Sequence, residues 1–352
     1  MPSDSTLTLF IPDLFGFQST LSQLSTEEMS SLPETQFPIL DKWLSRGLIE
    51  KSSKPNDILF SEFGLSSEDH KDKPYAALSL LAENNPEVNI AGFYWLRADP
   101  VYMQADRDTV LLSAHEELAL TQDEANKLVE KINLHFIDEP WTLYSFGPHR
   151  WYLALDKPAD LVTNPVSNVK GKNVNHYMST GEDAHYWLTT TNEIQMLLHG
   201  SNVNFERESR NMLTANSVWL WGGGHLPGVN DANKSYDKII TENILFSGVA
   251  HHCGLDVFPL DNEFSNYIQK GNSFIVLDML SEHFQNSDLY TFMQTLNEIE
   301  TKFLKCCNEL LLSGKIDRIV LLDDDGVHIT VTKKYLSRWW KRIKPYVAYK
   351  NA

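Results

Sequence analysis

The sequence predicts an α/β chain: a mostly parallel sheet covered by helices on both faces, with a small α+β unit inserted into it. Three observations predict this. The C-terminal half alternates strand-like and helix-like segments, from "SFIVLDML" (273–280) through an amphipathic stretch to "IDRIVLLDDDG" (316–326). The opening "TLTLFIPDLFGF" (6–17) reads as a buried, β-favouring strand that stops at Pro12-Asp13. Between about residues 91 and 165 the texture changes to strand pairs around turns, with one helix among them.

Taken in order, "PILDKWLSRGLIEK" (38–51) reads as a helix with Pro38 near its start and Gly47 at its stop. "KPYAALSLLAE" (73–83) is a second helix. "VNIAGFYWLRADPVYMQADRDTVLL" (88–112) is two strands around a turn. "TQDEANKLVEKINLHF" (121–136) is a helix whose Thr121 and Glu124 form a capping box. "WTLYSFGPHRWYLALD" (141–156) is a strand pair around Gly147-Pro148. "SNVKGKNVNHYMSTGED" (167–183) is a polar connector. A helix then carries "NEIQMLLH" (192–199), and another is expected near "YDKIITENILFSGVAHHCG" (236–254). Leu289, Phe292, Met293, Leu296, Ile299, Phe303, Leu304 and Leu311 form the apolar stripe of a long helix stopped by Gly314. The expected organisation is a core of residues 1–90 and 190–352 around an insert at 91–189.

Composition narrows the function. Hydrophobic residues at 42% and charged residues at 22% are ordinary for a globular protein. A formal charge of −17 argues against a general nucleic-acid binder, and requires that any anionic ligand meet a local cluster of Arg or Lys. No Lys or Arg precedes Lys42, so no secretory, twin-arginine or mitochondrial signal is expected. The apolar run at the start is broken by Pro12 and Asp13 and is no membrane span. Cys253, Cys306 and Cys307 form no metal-spacing motif, so the expectation is a reduced, cytoplasmic protein with no membrane or nucleic-acid partner.

Three strand ends carry carboxylates: Asp13, Asp278 and Asp323-Asp324-Asp325. On neighbouring strands they would converge and offer oxygen ligands for Mg²⁺ or Mn²⁺; the alternative is that they are solvated caps of buried strands. Arg97, Arg107, Arg150 and Arg207 are candidate holders of phosphate or carboxylate, or else salt-bridged or solvated arginines. The histidines show no ligand spacing. "ANSVWLWGGGHLPG" (215–228) uses three consecutive glycines, for a phosphate-cradling loop or for a tight strand-to-helix corner. "KKYLSRWWKRIKPYVAYK" (333–350) has seven basic residues and no acid. It would contact an anionic partner or membrane, or it is a terminal helix that docks Trp339 or Trp340; the aromatic pair favours docking.

These motifs, in this order, resemble the archaeal-type cofactor-independent phosphoglycerate mutases of the alkaline-phosphatase superfamily. "SNVNFERESRNMLTANSVWLWGGG" (201–224) matches that family's "HPVN-x-ER" and "AN-S-I-W-L-R-G-A-G" elements at Asn204, Glu206, Arg207, Ala215, Asn216, Trp219, Gly222 and Gly224. "LRADPVYMQADRD" (96–108), "PETQFPILDKWLSRG" (33–47) and "FSGVAHHCGLDV" (246–257) are similar to further elements. "YWLRADPV", "RWYL", "NEIQMLLH", "NSVWLWGGGHLP" and "RWWKRIKP" look like hallmarks of a bacterial branch known as phosphoglycerate-mutase-like or RpfE-type regulatory proteins. The resemblance implies an alkaline-phosphatase-like core and, in an active member, two divalent ions held by Asp and His with a Ser nucleophile. Asp13 and Asp324 match metal-binding aspartates, but Asp325 stands in the position of a histidine. Asp278 is followed by Glu282 where a histidine is expected, with His283 one residue late. "EKSSKPNDILFSEFG" (50–64) has no matching nucleophile, and Trp221 replaces an arginine.

The expectation is therefore a catalytically degenerate relative with a regulatory or anionic-ligand-binding role. The alternative is an active metal-dependent phosphoglycerate mutase or phosphatase with rearranged ligands. The expected site is Arg97, Arg107, Arg207, Asn204, Gly222, Gly223 and Gly224 around a small phosphorylated or carboxylated ligand. Asp13, Asp278 and Asp324 would hold no metal or weakly bound Mg²⁺, and an Mn²⁺ pair only in an active enzyme.

Overall fold

The computed structural model describes residues 5–51, 58–66, 71–107, 109–230, 235–268 and 271–349. The strands are β1 (Thr6–Phe10), β2 (Leu48–Lys51), β3 (Tyr94–Asp106), β4 (Thr109–Ala114), β5 (Trp141–Gly147), β6 (Arg150–Leu155), β7 (Ser217–Gly224), β8 (Lys238–Ile240), β9 (Asp256–Phe258), β10 (Ser273–Val276), β11 (Arg318–Leu322) and β12 (Val327–Val331). The chain forms two compact units, one of Met1–Leu65 with Val229–Ala352 and one of Ser66–Gly228.

The first unit is built on a seven-stranded sheet of order β2-β12-β11-β1-β10-β8-β9. β1 runs parallel to both β10 and β11, β8 and β9 continue the parallel set, and β12 and β2 are antiparallel at one edge. Leu7, Leu9, Ile11, Ile275, Ile319 and Leu321 belong to one buried cluster with side chains of the helices Pro38–Arg46, Leu289–Glu298 and Lys305–Ser313. Phe10 and Phe274 pack with Phe246, and Phe63 stacks edge-on against Phe274. Alternation along β1 thus serves both faces, as a covered parallel sheet requires.

The long apolar stripe forms as expected, with one interruption: Ile299–Leu304 is π-helical. There the buried Glu300 accepts hydrogen bonds from Ile39 N (2.6 Å) and Leu40 N (3.1 Å). These are first-turn donors of the helix Pro38–Arg46, whose N-cap Phe37 provides no side-chain acceptor.

The second unit is α+β. β3 pairs antiparallel with β6, β4 and β7, and β5 pairs with β6. Gln122–His135, with the Thr121/Glu124 capping box, and Ala184–His199 contribute to one core with this sheet. Ala76, Ala77 and Leu80 of the helix Tyr75–Ala82 pack with Trp95, Tyr152 and Ala154.

Four features differ from the sequence expectations. The unit boundaries fall at 65/66 and 228/229 rather than 90/91 and 189/190, because Tyr75–Ala82 packs on the inserted sheet and β7 is one of its strands. The connector is not a linker: Val169 and Val174 are buried, Gly171 N donates to Leu112 O, and the Asn173 side chain accepts from Val110 N. Lys238–Ile240 is a strand, not helix. The C-terminal helix ends at Leu336, and neither Trp339 nor Trp340 docks; Leu336 and Tyr346 are the buried side chains there.

Candidate functional site

The strand ends that carry the first unit's carboxylates lie side by side, because β11, β1 and β10 are adjacent and parallel, and Asp13 and Asp324 meet there. Such carboxyl ends are the usual place for ligands in an open α/β sheet. Asp13, in the left-handed region at φ 59, donates its N–H to Asp324 Oδ1 at 2.8 Å. Burial raises the Asp13 carboxyl from 3.8 to about 6; a Ser281 hydrogen bond opposes this, and Asp324 and Asp325 add to it. Asp323 is fully buried. Its Oδ1 accepts from Asp324 N at 2.8 Å, while Oδ2 is buried with no hydrogen-bond partner among the described residues. Burial, with Asp324 and Asp325 beside it, pushes this carboxyl far above the usual range. Asp278 Oδ2 accepts from Asn243 Nδ2 at 2.6 Å, and Asn243 also caps the helix Ile244–Cys253.

The three consecutive aspartates have a local reason. Asp323 to Gly326 is the turn joining β11 to β12, closed by Gly326 N to Asp323 O at 3.2 Å, with Gly326 at φ 81. Asp324 and Asp325 occupy its exposed middle, where short polar residues are favoured. Among the described residues no set of three or more His, Cys, Asp or Glu side chains is placed to hold a metal ion. The donors gathered here are oxygens and an amide, and the position of the expected histidine is an exposed turn aspartate. That donor set does not fit a tight two-ion centre, which draws on imidazole nitrogen.

Arg97, Arg107 and Arg207 of the second unit are not brought together, and Arg150, near Arg97, is ion-paired with Glu83 at 2.7 Å. Arg97 lies on β3, 5% exposed, and donates Nε and Nη2 to Asp99 Oδ1 at 2.9 and 2.5 Å. Its guanidinium stacks over Tyr152 (4.8 Å) and Trp221 (5.2 Å), and Trp221 Nε1 donates to the other Asp99 oxygen at 2.9 Å. Asp99 is 0% exposed. Burial by itself raises the Asp99 carboxyl, but Arg97, His115 and Trp221 hold it below its ordinary value. The residue found in place of an arginine, Trp221, therefore closes a buried ion pair.

Arg207 is also fully buried. It donates to Leu213 O (2.8 Å), to Glu124 Oε2 (2.9 Å) and to Leu118 O. Arg107 is exposed at the β3–β4 turn, ten residues along β3 from Arg97, or roughly 30 Å of extended chain. Asn204 Nδ2 is taken by Leu198 O and Ala215 O, both at 2.9 Å.

The glycines form neither a phosphate loop nor a strand-to-helix corner. Trp95 pairs with Gly224 and Arg97 with Trp221, so Gly222 and Gly223 stand opposite the single residue Leu96 in a β-bulge. Gly222 has φ 68, and a Cβ there would lie 3.1 Å from Tyr75 Cβ and 3.3 Å from Ala76 N. Gly222 N donates to Thr163 Oγ1 (2.9 Å) and Gly223 N to Asp72 Oδ2 (3.3 Å). The N–H groups that could cradle a phosphate are already bonded, one of them to a carboxylate. The expected anion site around Arg97, Arg107, Arg207, Asn204 and Gly222–Gly224 is thereby corrected: all but exposed Arg107 are committed to internal structure. The missed partner of Arg97 was readable, since residues two apart on a strand share a face and Arg97-x-Asp99 has that spacing.

No family model matches the chain. It is distantly related to cofactor-independent phosphoglycerate mutases. It is 24% identical over 146 residues to the 2,3-bisphosphoglycerate-independent phosphoglycerate mutase of Methanosarcina mazei, covering 40% of this chain and 37% of that protein. With the probable enzyme of the same name from Geobacter sulfurreducens it shares 21% identity over 194 residues, 53% of this chain and 48% of that one. The matches thus span less than half the length of these curated relatives. The PH0037 protein of Pyrococcus horikoshii has the same fold, with a TM-score of 0.58 at 11% identity over 94% of this chain and 88% of that one. The cofactor-independent phosphoglycerate mutase of Thermoplasma acidophilum aligns with a TM-score of 0.45 at 14% identity, over 94% of this chain and 89% of that one.

Proposed function

We propose that this chain is a catalytically degenerate, phosphoglycerate-mutase-like protein with a regulatory, binding role of the kind suggested by its resemblance to RpfE-type proteins. One observation carries the reading. Arg97, which the resemblance would assign to the anionic groups of a phosphoglycerate, is buried and consumed by Asp99, with Trp221 closing the pair. Drawing Arg97 away would leave a buried carboxylate uncompensated, a cost that a surface-accessible ligand does not recover. Asp325, on its exposed turn, stands where the resemblance places a histidine.

A second reading, an active metal-dependent mutase or phosphatase with rearranged ligands, is favoured by the convergence of Asp13 and Asp324. The segment aligned with the nucleophile loop includes residues 52–57, which lie outside the described residues. Conversion of 3-phosphoglycerate to 2-phosphoglycerate, and hydrolysis of a simple phosphomonoester, separate the two when measured in Mg²⁺, Mn²⁺ and Zn²⁺. The expected result is no turnover above background and no Zn²⁺ or Mn²⁺ retained stoichiometrically through dialysis. Metal-dependent turnover that disappears in Asp13→Ala overturns the degenerate reading.

A further inference from the structure

Residues 339–345, Trp-Trp-Lys-Arg-Ile-Lys-Pro, form an unbroken exposed run with no acidic residue. Trp339 is 80% exposed, Trp340 67% and Ile343 44%, and the two indoles meet edge-to-face at 6.2 Å. Both ends are pinned to the first unit. Leu336 and Tyr346 are buried, Arg338 Nη1 donates to Arg46 O, Lys344 N donates to Ser45 Oγ, and Tyr346 N donates to Asp41 Oδ1. We propose that this loop docks the protein onto an anionic lipid surface, with the indoles and Ile343 entering the interface and Lys341, Arg342 and Lys344 facing the headgroups. This is independent of the reading above.

Charge and shape select this occupant. The whole chain carries −17, yet seven of its 30 Lys and Arg lie in 333–350 without an acid among them. An anionic surface is repelled by the chain's overall charge and attracted here, which also sets the orientation. Tryptophan favours the membrane–water interface, where an apolar ring and a polar N–H are both accommodated. No helix among the described residues is long and apolar enough to cross a membrane, so the fitting mode is surface attachment. A seven-residue loop is far fewer than the roughly 20–30 residues that each partner contributes to a stable protein interface, whereas shallow insertion into lipid needs no complementary surface. Single-stranded nucleic acid needs a basic groove along its backbone, which a formal charge of −17 disfavours. Pinning at both ends lowers the entropy lost on docking.

The test is co-sedimentation of the full chain with vesicles of phosphatidylcholine alone, and of phosphatidylcholine and phosphatidylglycerol in equal parts, at low and physiological salt. The expected result is partition into the anionic vesicles only, weakened by salt, with indole emission quenched by a lipid-borne quencher. Lys341→Gln/Arg342→Gln/Lys344→Gln should lose roughly a hundredfold at low salt, at about fivefold per cation. Trp339→Ala/Trp340→Ala should lose at least about tenfold, with an unchanged melting temperature because both rings are exposed. The proposal is overturned if the wild type ignores anionic vesicles at low salt, if it binds neutral vesicles equally well, or if the double tryptophan variant partitions like the wild type. Binding to DNA or to an acidic polypeptide without vesicle binding also overturns it.

Discussion

Replacing Asp99 with Asn is the sharpest perturbation of the second unit, because it removes a charge while nearly preserving shape. Asp99 is fully buried, and Arg97 beside it is 5% exposed. Breaking a buried pair by removing one partner costs about 3–5 kcal/mol. Arg97 keeps its stacking on Tyr152 and Trp221 with or without the carboxylate, so that contribution cancels in the comparison. The net expectation is therefore about 3–5 kcal/mol. For a unit of this size each kcal/mol is about 2–4 °C, so its transition should fall by roughly 6–20 °C in calorimetry. Trp221→Phe, which leaves the ion pair and removes one bond to a charged group, should cost less, about 1.5–3 kcal/mol. The sign with pH follows from Asp99's lowered carboxyl: its contribution is complete above the unfolded value near 3.8 and is lost as pH falls through the lower folded value. The gap between Asp99→Asn and wild type should therefore close on strong acidification. A loss below about 1 kcal/mol, or a gap that does not narrow in acid, would refute the buried pair. Stabilisation of the wild type by 3-phosphoglycerate would refute the claim that Arg97 is committed.

Substitutions at three further sites test the other local arguments. Gly222→Ala forces a side chain into φ 68 and against Tyr75 and Ala76, and should cost about 2–4 kcal/mol in denaturant melts. Gly171→Ala, at φ 72 but with open space around it, should cost only about 1–2 kcal/mol. Glu300→Ala leaves the N–H groups of Ile39 and Leu40 without their acceptor and should cost about 2–5 kcal/mol in the first unit. Glu300→Gln should be much milder. Burial raises the Glu300 carboxyl against those two bonds, with Asp41 adding to the rise, so ionising it weighs on the folded state as pH rises through the raised value. Glu300→Gln should therefore gain on wild type between pH 4 and pH 8, and equal losses at both pH values would contradict this.

Periodicity carried most of the fold. β1, β10 and β11 are short apolar runs ending in polar residues, and a parallel sheet buries such runs on both faces. The capping box at Thr121 and the stop at Gly314 were legible because each is a local residue-to-backbone requirement. The failures depend on partners distant in sequence. β8 is three residues long and pairs only with β10 and β9, so nothing in its own sequence distinguishes it from the first turn of the following helix. The polar connector is held by two valines and by bonds to β4 that its own composition does not announce.

The candidate site shows the same limit from the chemical side. Asp13 and Asp324 could be placed because the end of a strand is a topological position, and adjacency of β11 and β1 brought them together. An arginine is different: its availability depends on which acceptors surround it, and motif matching transfers a position without its partners. Arg97 matched a ligand-binding position, but Asp99 and Trp221 convert it into a core ion pair. Arg207 matched likewise, but three internal acceptors hold it. The same reasoning applies in reverse at Trp339 and Trp340. An aromatic pair favoured burial on composition, yet the anchors of that segment are Leu336 and Tyr346, and the basic run between them is left facing outward. What the sequence could supply there was the charge pattern; which side of it met water required the fold.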